Sequence, residues 1–156
     1  YKNAKAAFAA GAHMLKINTR ELTEVTGEND ISTAAHCIFS DYPIEIVGVT
    51  AGSEAAYLFT RNHAWRFDIP AMGTVQNPLG AGDTMTAVLV ARLTEEKAKQ
   101  QNIKKADFAG SFADNLANVF REALATATAS CITRDPARFS PDKVRELIPS
   151  ITVNEL

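Results

Sequence analysis

Two periods of apolar and polar residues run through this chain, and the places where one gives way to the other mark its elements. Ala4 to Ala12 is rich in alanine and reaches Gly11, which predicts the last turns of a helix packed on a sheet. His13-Met14-Leu15-Lys16-Ile17-Asn18 is short, mostly apolar and polar at its end, the pattern of a buried parallel strand whose C-terminal end meets a ligand. Thr19 to Gly27 then reads as a short helix stopped by glycine. From Ile31 to Ser40 apolar residues recur at helical spacing, with Ala34, Ala35, Ile38 and Phe39 on one face, as in a helix that covers a sheet. Ile44 to Thr50 is a β-branched strand ending in the small-residue turn Ala51-Gly52-Ser53-Glu54-Ala55. Ala56 to Thr60 follows as its hairpin partner, and His63 to Pro70 as a further extended piece.

The second half is helical. Met72 to Gln76 leads into Asn77-Pro78-Leu79-Gly80-Ala81-Gly82-Asp83, after which a run of good helix formers starts at Thr84. The polar tract Thr94 to Asn102 is expected to be a solvated connection. Phe112 to Thr133 is predicted as a helix dense in Ala and Thr, a composition that core packing alone explains, so Asn118 and Ala125 are given no site role. Asp135-Pro136 ends it, Ser140-Pro141-Asp142 starts a last helix through Leu147, and Val153 closes the chain near the sheet. Strands alternating with helices predict an α/β fold, a mainly parallel sheet flanked by helices, with residues 1–156 forming one portion of a single domain.

Candidate chemistry concentrates at residues 77–83. Pro78 restricts the backbone, the glycines leave room for a ligand, and the amides of Gly80, Ala81, Gly82 and Asp83 would lie at the positive end of a helix, where orphan N–H groups suit a phosphate. Asp83 is the odd member. It is either a helix cap or a carboxylate with a task, such as accepting the proton of a hydroxyl that attacks a phosphoryl group. Asn18 and Glu21, three apart at a strand end and in the next helical turn, form either a capping box or a carboxamide and carboxylate directed at a magnesium nucleotide. His36 has no companion at ligand spacing and reads as a surface residue.

These residues resemble a family. Asn77-Pro78-Leu79-Gly80-Ala81-Gly82-Asp83-Thr84 is similar to the Asp-Thr-x-Gly-Ala-Gly-Asp signature of ribokinase-like sugar kinases, the phosphofructokinase B family. Asn-Pro at its front looks most like the branch of 1-phosphofructokinases and tagatose-6-phosphate kinases. Lys16-Ile17-Asn18-Thr19-Arg20-Glu21-Leu22 resembles the family's Lys-Pro-Asn-x-x-Glu-Leu, and Val49-Thr50-Ala51-Gly52 its Thr-x-Gly turn beside the nucleotide. The resemblance implies Asp83 as catalytic base and Gly80, Ala81 and Gly82 as an anion hole. It also implies Asn18, Glu21, Thr50 and Gly52 about ATP, with Glu21 toward Mg²⁺. The activity implied is transfer of the γ-phosphate of ATP to a sugar or sugar-phosphate hydroxyl, a phosphorylated ketohexose being favoured. The competing reading is a non-catalytic nucleotide-binding or regulatory fragment that lacks the sugar site. Intact Asp83 separates the two, because a binding module need not keep it.

Composition narrows the rest. With 156 residues the chain can bury a real core, and 46% hydrophobic residues place it among globular proteins. A net charge of −2 argues against nucleic acid as the main partner. No apolar run approaches a membrane span and no signal peptide opens the chain, so a cytoplasmic setting and no membrane partner are expected. Cys37 and Cys131, without companions at metal-ligand spacing, read as reduced thiols. Gly-x-x-x-x-Gly-Lys-Ser/Thr does not occur, which excludes a Walker loop, and Gly80-Ala81-Gly82 lacks the third glycine of a dinucleotide fingerprint. Tyr1 is not an initiator methionine and no helix start signal precedes the first segment. The chain is therefore expected to be the C-terminal half of a family member whose other half carries most of the sugar site and the lid. A homodimer is the assembly entertained.

Overall fold

The computed structural model describes the backbone at residues 2–100 and 108–156, and side-chain surroundings at 4–96 and 115–156. Helix α1 covers Lys2–Ala9, strand β1 Met14–Asn18, helix α2 Thr19–Thr26, helix α3 Ile31–Asp41, and strands β2, β3 and β4 cover Ile46–Ala51, Ala55–Thr60 and Ala64–Asp68. Helices α4 (Ala81–Gln100), α5 (Phe108–Cys131) and α6 (Pro141–Leu147) follow, then a 3₁₀ turn at Ile148–Ser150 and strand β5 at Thr152–Glu155. The chain divides into two compact units: residues 1–68 with 154–156, and residues 69–153.

The first unit is a sheet with helices, in the order β1-β2-β3-β4-β5. β1 runs parallel to β2, with Asn18 opposite Thr50, whereas β2–β3 and β3–β4 are antiparallel. The α/β class holds, but the mainly parallel sheet expected from sequence does not extend past β1–β2 among these ladders. The reason is loop length. A parallel neighbour needs a crossover, as residues 19–45 supply between β1 and β2, while three-residue turns at 52–54 and 61–63 can join only antiparallel neighbours. Leu22 and Val25 of α2 and Ala34, Ala35, Ile38 and Phe39 of α3 are buried with Ile17, Val47, Val49 and Phe59 in one apolar cluster. The α3 face expected from periodicity is the buried one. Gly27 ends α2 at φ +82, with its N–H donated to the Thr23 carbonyl, the left-handed stop its position predicts.

The second unit is helical. α4 packs along α5, and α6 with the 3₁₀ turn lies against α5. Met85, Leu89, Leu116, Phe120, Ala123 and Ala125 are buried, so the alanines of α5 serve close packing. Thr94 to Gln100, expected as a connection, continues α4 instead, and residues 101–102 lie outside the described residues. Its Glu, Lys, Gln and Ala residues are strong helix formers, and polarity on every side does not end a helix whose exposed face is paired. The Arg92 guanidinium bonds both Glu122 oxygens and reaches Glu95, which raises its pKa above the usual arginine range. α5 begins before the expected Phe112, at Phe108, because Gly110 is tolerated inside a helix.

Candidate functional site

At the C-terminal end of β1, Asn18 takes an extended backbone and caps α2. Its Oδ1 accepts the Glu21 N–H at 2.8 Å, and Glu21 Oε2 accepts the Asn18 N–H at 3.0 Å. The capping box weighed from sequence is therefore formed. It occupies one side-chain atom of each residue, and among the described residues Asn18 Nδ2 and Glu21 Oε1 have no protein partner. Thr50 stands beside Asn18 on the neighbouring parallel strand. Gly52 follows at φ +69 in the β2–β3 turn, exposed and with nothing within 4 Å of where a Cβ would sit. The fold thus gathers Asn18, Glu21 and Thr50 at the carboxyl ends of two parallel strands, the edge at which open α/β sheets take ligands, with Gly52 two residues on.

In the second unit the loop enters α4 earlier than expected, at Ala81 rather than Thr84. Gly80, at φ +80, precedes the helix, and its carbonyl accepts the first helical bond, from Thr84 N–H at 2.8 Å. A glycine at this position offers no side chain to the first-turn amides. The Ala81 N–H turns back to the Pro78 carbonyl at 3.3 Å, while those of Gly80, Gly82 and Asp83 have no partner among the described residues. Gly82 is helical, so its value is small size rather than a special φ. Asp83 is exposed in the first helical turn, and its carboxylate makes no capping bond. The one turn therefore presents open N–H groups at the positive end of α4 and a free acid beside them.

Sequence reasoning treated Asn77 as a family marker and missed its work. Asn77 Oδ1 accepts the Leu79 N–H and Asn77 Nδ2 donates to the Arg134 carbonyl, both at 3.0 Å. The Gln76 and Asn77 N–H groups both reach the Cys131 carbonyl, at 2.9 and 3.1 Å. An Asn directly before Pro was the available signal, since Asx side chains commonly close such turns. His36 is exposed with Nδ1 2.7 Å from the Ser32 carbonyl, and Asn118 Oδ1 accepts from Arg121. Cys37 and Cys131 are free thiols, and burial pushes the Cys131 thiol above its usual range. Among the described residues no helix is long and apolar enough to cross a membrane, and no three His, Cys, Asp or Glu side chains converge.

The family model for pfkB family carbohydrate kinase matches residues 1–133. The chain belongs to that family. A pfkB relative, ATP-dependent 6-phosphofructokinase isozyme 2 of Mycobacterium tuberculosis, is 30% identical over 136 residues, 84% of this chain and 37% of the relative. Phosphofructokinase-2 from Escherichia coli, in complex with potassium, superposes with a TM-score of 0.75 at 20% identity, over 96% of this chain and 45% of that one. Arabidopsis thaliana ribokinase, complexed with ribose and ATP, gives 0.65 at 22% identity over 86% and 40%. These superpositions establish the ribokinase-like fold. The chain spans a little over a third of the length of the curated relative, and less than half of these structures.

Proposed function

We propose that the protein carrying this chain is an ATP-dependent phosphotransferase acting on a sugar or sugar-phosphate hydroxyl, with residues 1–156 as its C-terminal, nucleotide-binding portion. The observation that carries the reading is one helical turn in which the Gly82 and Asp83 amides and the Asp83 carboxylate are all without protein partners. A carboxylate beside an anion-binding turn repels the anion, a cost that has a use if the acid accepts a proton from the attacking hydroxyl. In this reading Asp83 is the base, and the open amides of Gly80, Gly82 and Asp83 hold the phosphoryl oxygens as charge develops on them, the Ala81 N–H being turned back to the Pro78 carbonyl.

The residues also fit magnesium-bound ATP. Mg²⁺ keeps most of its waters and takes few protein oxygens, so the one open oxygen of Glu21 suffices, with Asn18, Thr50 and Gly52 toward the nucleotide. When bound, the ion neutralises phosphate charge. A phosphorylated ketohexose is the favoured acceptor. The M. tuberculosis relative is by name a 6-phosphofructokinase, and Asn77-Pro78 points within the family toward the branch of 1-phosphofructokinases and tagatose-6-phosphate kinases. A cytoplasmic homodimer is the corresponding setting.

Asp83→Asn in the full-length protein tests the assignment. Turnover should fall about 10²–10⁴-fold, the usual contribution of a positioned base, with ATP affinity kept or tightened. Turnover within about tenfold of wild type would remove Asp83 from this role. Nucleotide binding without any sugar-dependent turnover in the wild-type protein would favour the regulatory reading.

A further inference from the structure

We infer that Asn77 and the turn at residues 133–138 form a brace that positions the Gly80–Asp83 loop, with Asn77 as a positioning residue for phosphoryl transfer. The inference rests on reading that loop as the phosphoryl site.

Three independent contacts join the loop to the segment leaving α5. The Cys131 carbonyl takes the N–H groups of Gln76 and Asn77. Asn77 closes an Asx turn onto Leu79 with its oxygen and spends its amide hydrogen on the Arg134 carbonyl, 57 residues away in sequence. One carboxamide thus fixes the loop both to itself and to its support. Ala137 abuts Gly80 so closely that a Cβ on Gly80 would lie 3.2 Å from the Ala137 Cβ and 3.4 Å from its nitrogen.

The support is itself held in a costly shape. Ala137 has φ +55, and it is the one non-glycine at positive φ among the described residues, a conformation that costs roughly 1–2 kcal/mol. The Thr133 hydroxyl lies 2.9 Å from the Ser130 and Asp135 carbonyls and 3.0 Å from that of Arg138, and can donate to one of them at a time. Strain persists where the surroundings over-determine it, and here it holds Ala137 against the residue that leads into the anion-binding turn. Asn is the residue that suits position 77. Asp would keep the bond from Leu79 but set a carboxylate oxygen against the Arg134 carbonyl, and Ala would lose both bonds.

The experiment compares Asn77→Ala, Asn77→Asp and Thr133→Val with the wild type in the full-length protein, measuring kcat, KM for ATP and amide hydrogen exchange. The brace predicts that kcat falls between about tenfold and 10²-fold in the Asn77 variants, as expected for a sub-ångström to 1 Å displacement, while KM for ATP changes much less. Exchange should quicken together at the bonded amides of Leu79 and Ala81 on one side and of Arg138 on the other, with buried α4 amides such as those of Met85 and Leu89 unchanged. Thr133→Val, which leaves Asn77 intact, should show the same paired pattern and decides the matter if the Asn77 variants do not fold. Unchanged kcat in both Asn77 variants, or faster exchange on one side only, overturns the brace. A wild-type protein that transfers no phosphate to any sugar phosphate refutes the kinase reading instead, and the exchange pattern still decides whether the two segments act as one.

Discussion

Gly80 and Gly82 are separated only by Ala81, yet alanine should act in opposite directions at the two positions. At Gly80 the φ of +80 penalises any L side chain by about 1–2 kcal/mol. The new Cβ would also press on Ala137 at 3.2 Å, adding about 1 kcal/mol as the turn gives way. The sum is a loss of about 2–3 kcal/mol, a large share of a domain stability of roughly 5–15 kcal/mol. Gly82 sits inside α4 with an ordinary helical φ, so alanine there removes backbone freedom from the unfolded chain and should gain about 0.5–1 kcal/mol. Urea unfolding of Gly80→Ala and Gly82→Ala beside the wild type should move the midpoints to either side of the parent at a similar slope. A Gly80→Ala protein that unfolds with the wild type would refute both the strain and the contact. If Gly82→Ala is stabilised but loses turnover, room at that position serves a phosphate rather than the fold.

Glu21→Gln should leave stability within about 0.5 kcal/mol, since Gln also completes a capping box, but weaken the Mg²⁺ dependence of nucleotide binding; isothermal titration at several Mg²⁺ concentrations checks it. Asn18→Ala removes the cap itself and should cost about 1 kcal/mol in the same unfolding assay. Cys131, its thiol raised by burial, should react with iodoacetamide more slowly in the folded protein than in urea at pH 8. Above roughly pH 8.5 the unfolded chain releases this proton while the folded chain keeps it, so the Cys131 contribution lowers stability as pH rises.

What could be read from sequence was what depends on neighbours along the chain. Ala34, Ala35, Ile38 and Phe39 declared the buried face of α3, Gly27 declared a stop, and Asn18 with Glu21 offered a cap as one of two readings, because each signal lies within one or two turns. The small-residue turn at 52–54 declared the β2–β3 hairpin, but the parallel ladder was overextended because apolar strands look alike in either direction, and the turn length at 61–63 makes β3–β4 antiparallel as well. The end of α4 was misplaced because a polar helix face and a polar loop share a composition. The partners of Asn77 were out of reach for a different reason. Arg134 and Ala137 meet the loop only after α4 and α5 have packed, and no local pattern encodes a bond across 57 residues.

The unequal loops of the first unit also set an order of assembly. β2, β3 and β4 are joined by three-residue turns, so their ladders can close on the hairpin timescale of about 1–10 μs. β1 must instead close the 27 residues 19–45 before it gains a single bond to β2, and the ninefold longer loop adds about 2 kcal/mol of chain entropy. The meander should therefore form first and act as the template on which β1 docks late. Since Asn18 and Thr50 meet only across that ladder, the proposed nucleotide edge appears after the meander, and a weakened β1 would lose it while the meander remained.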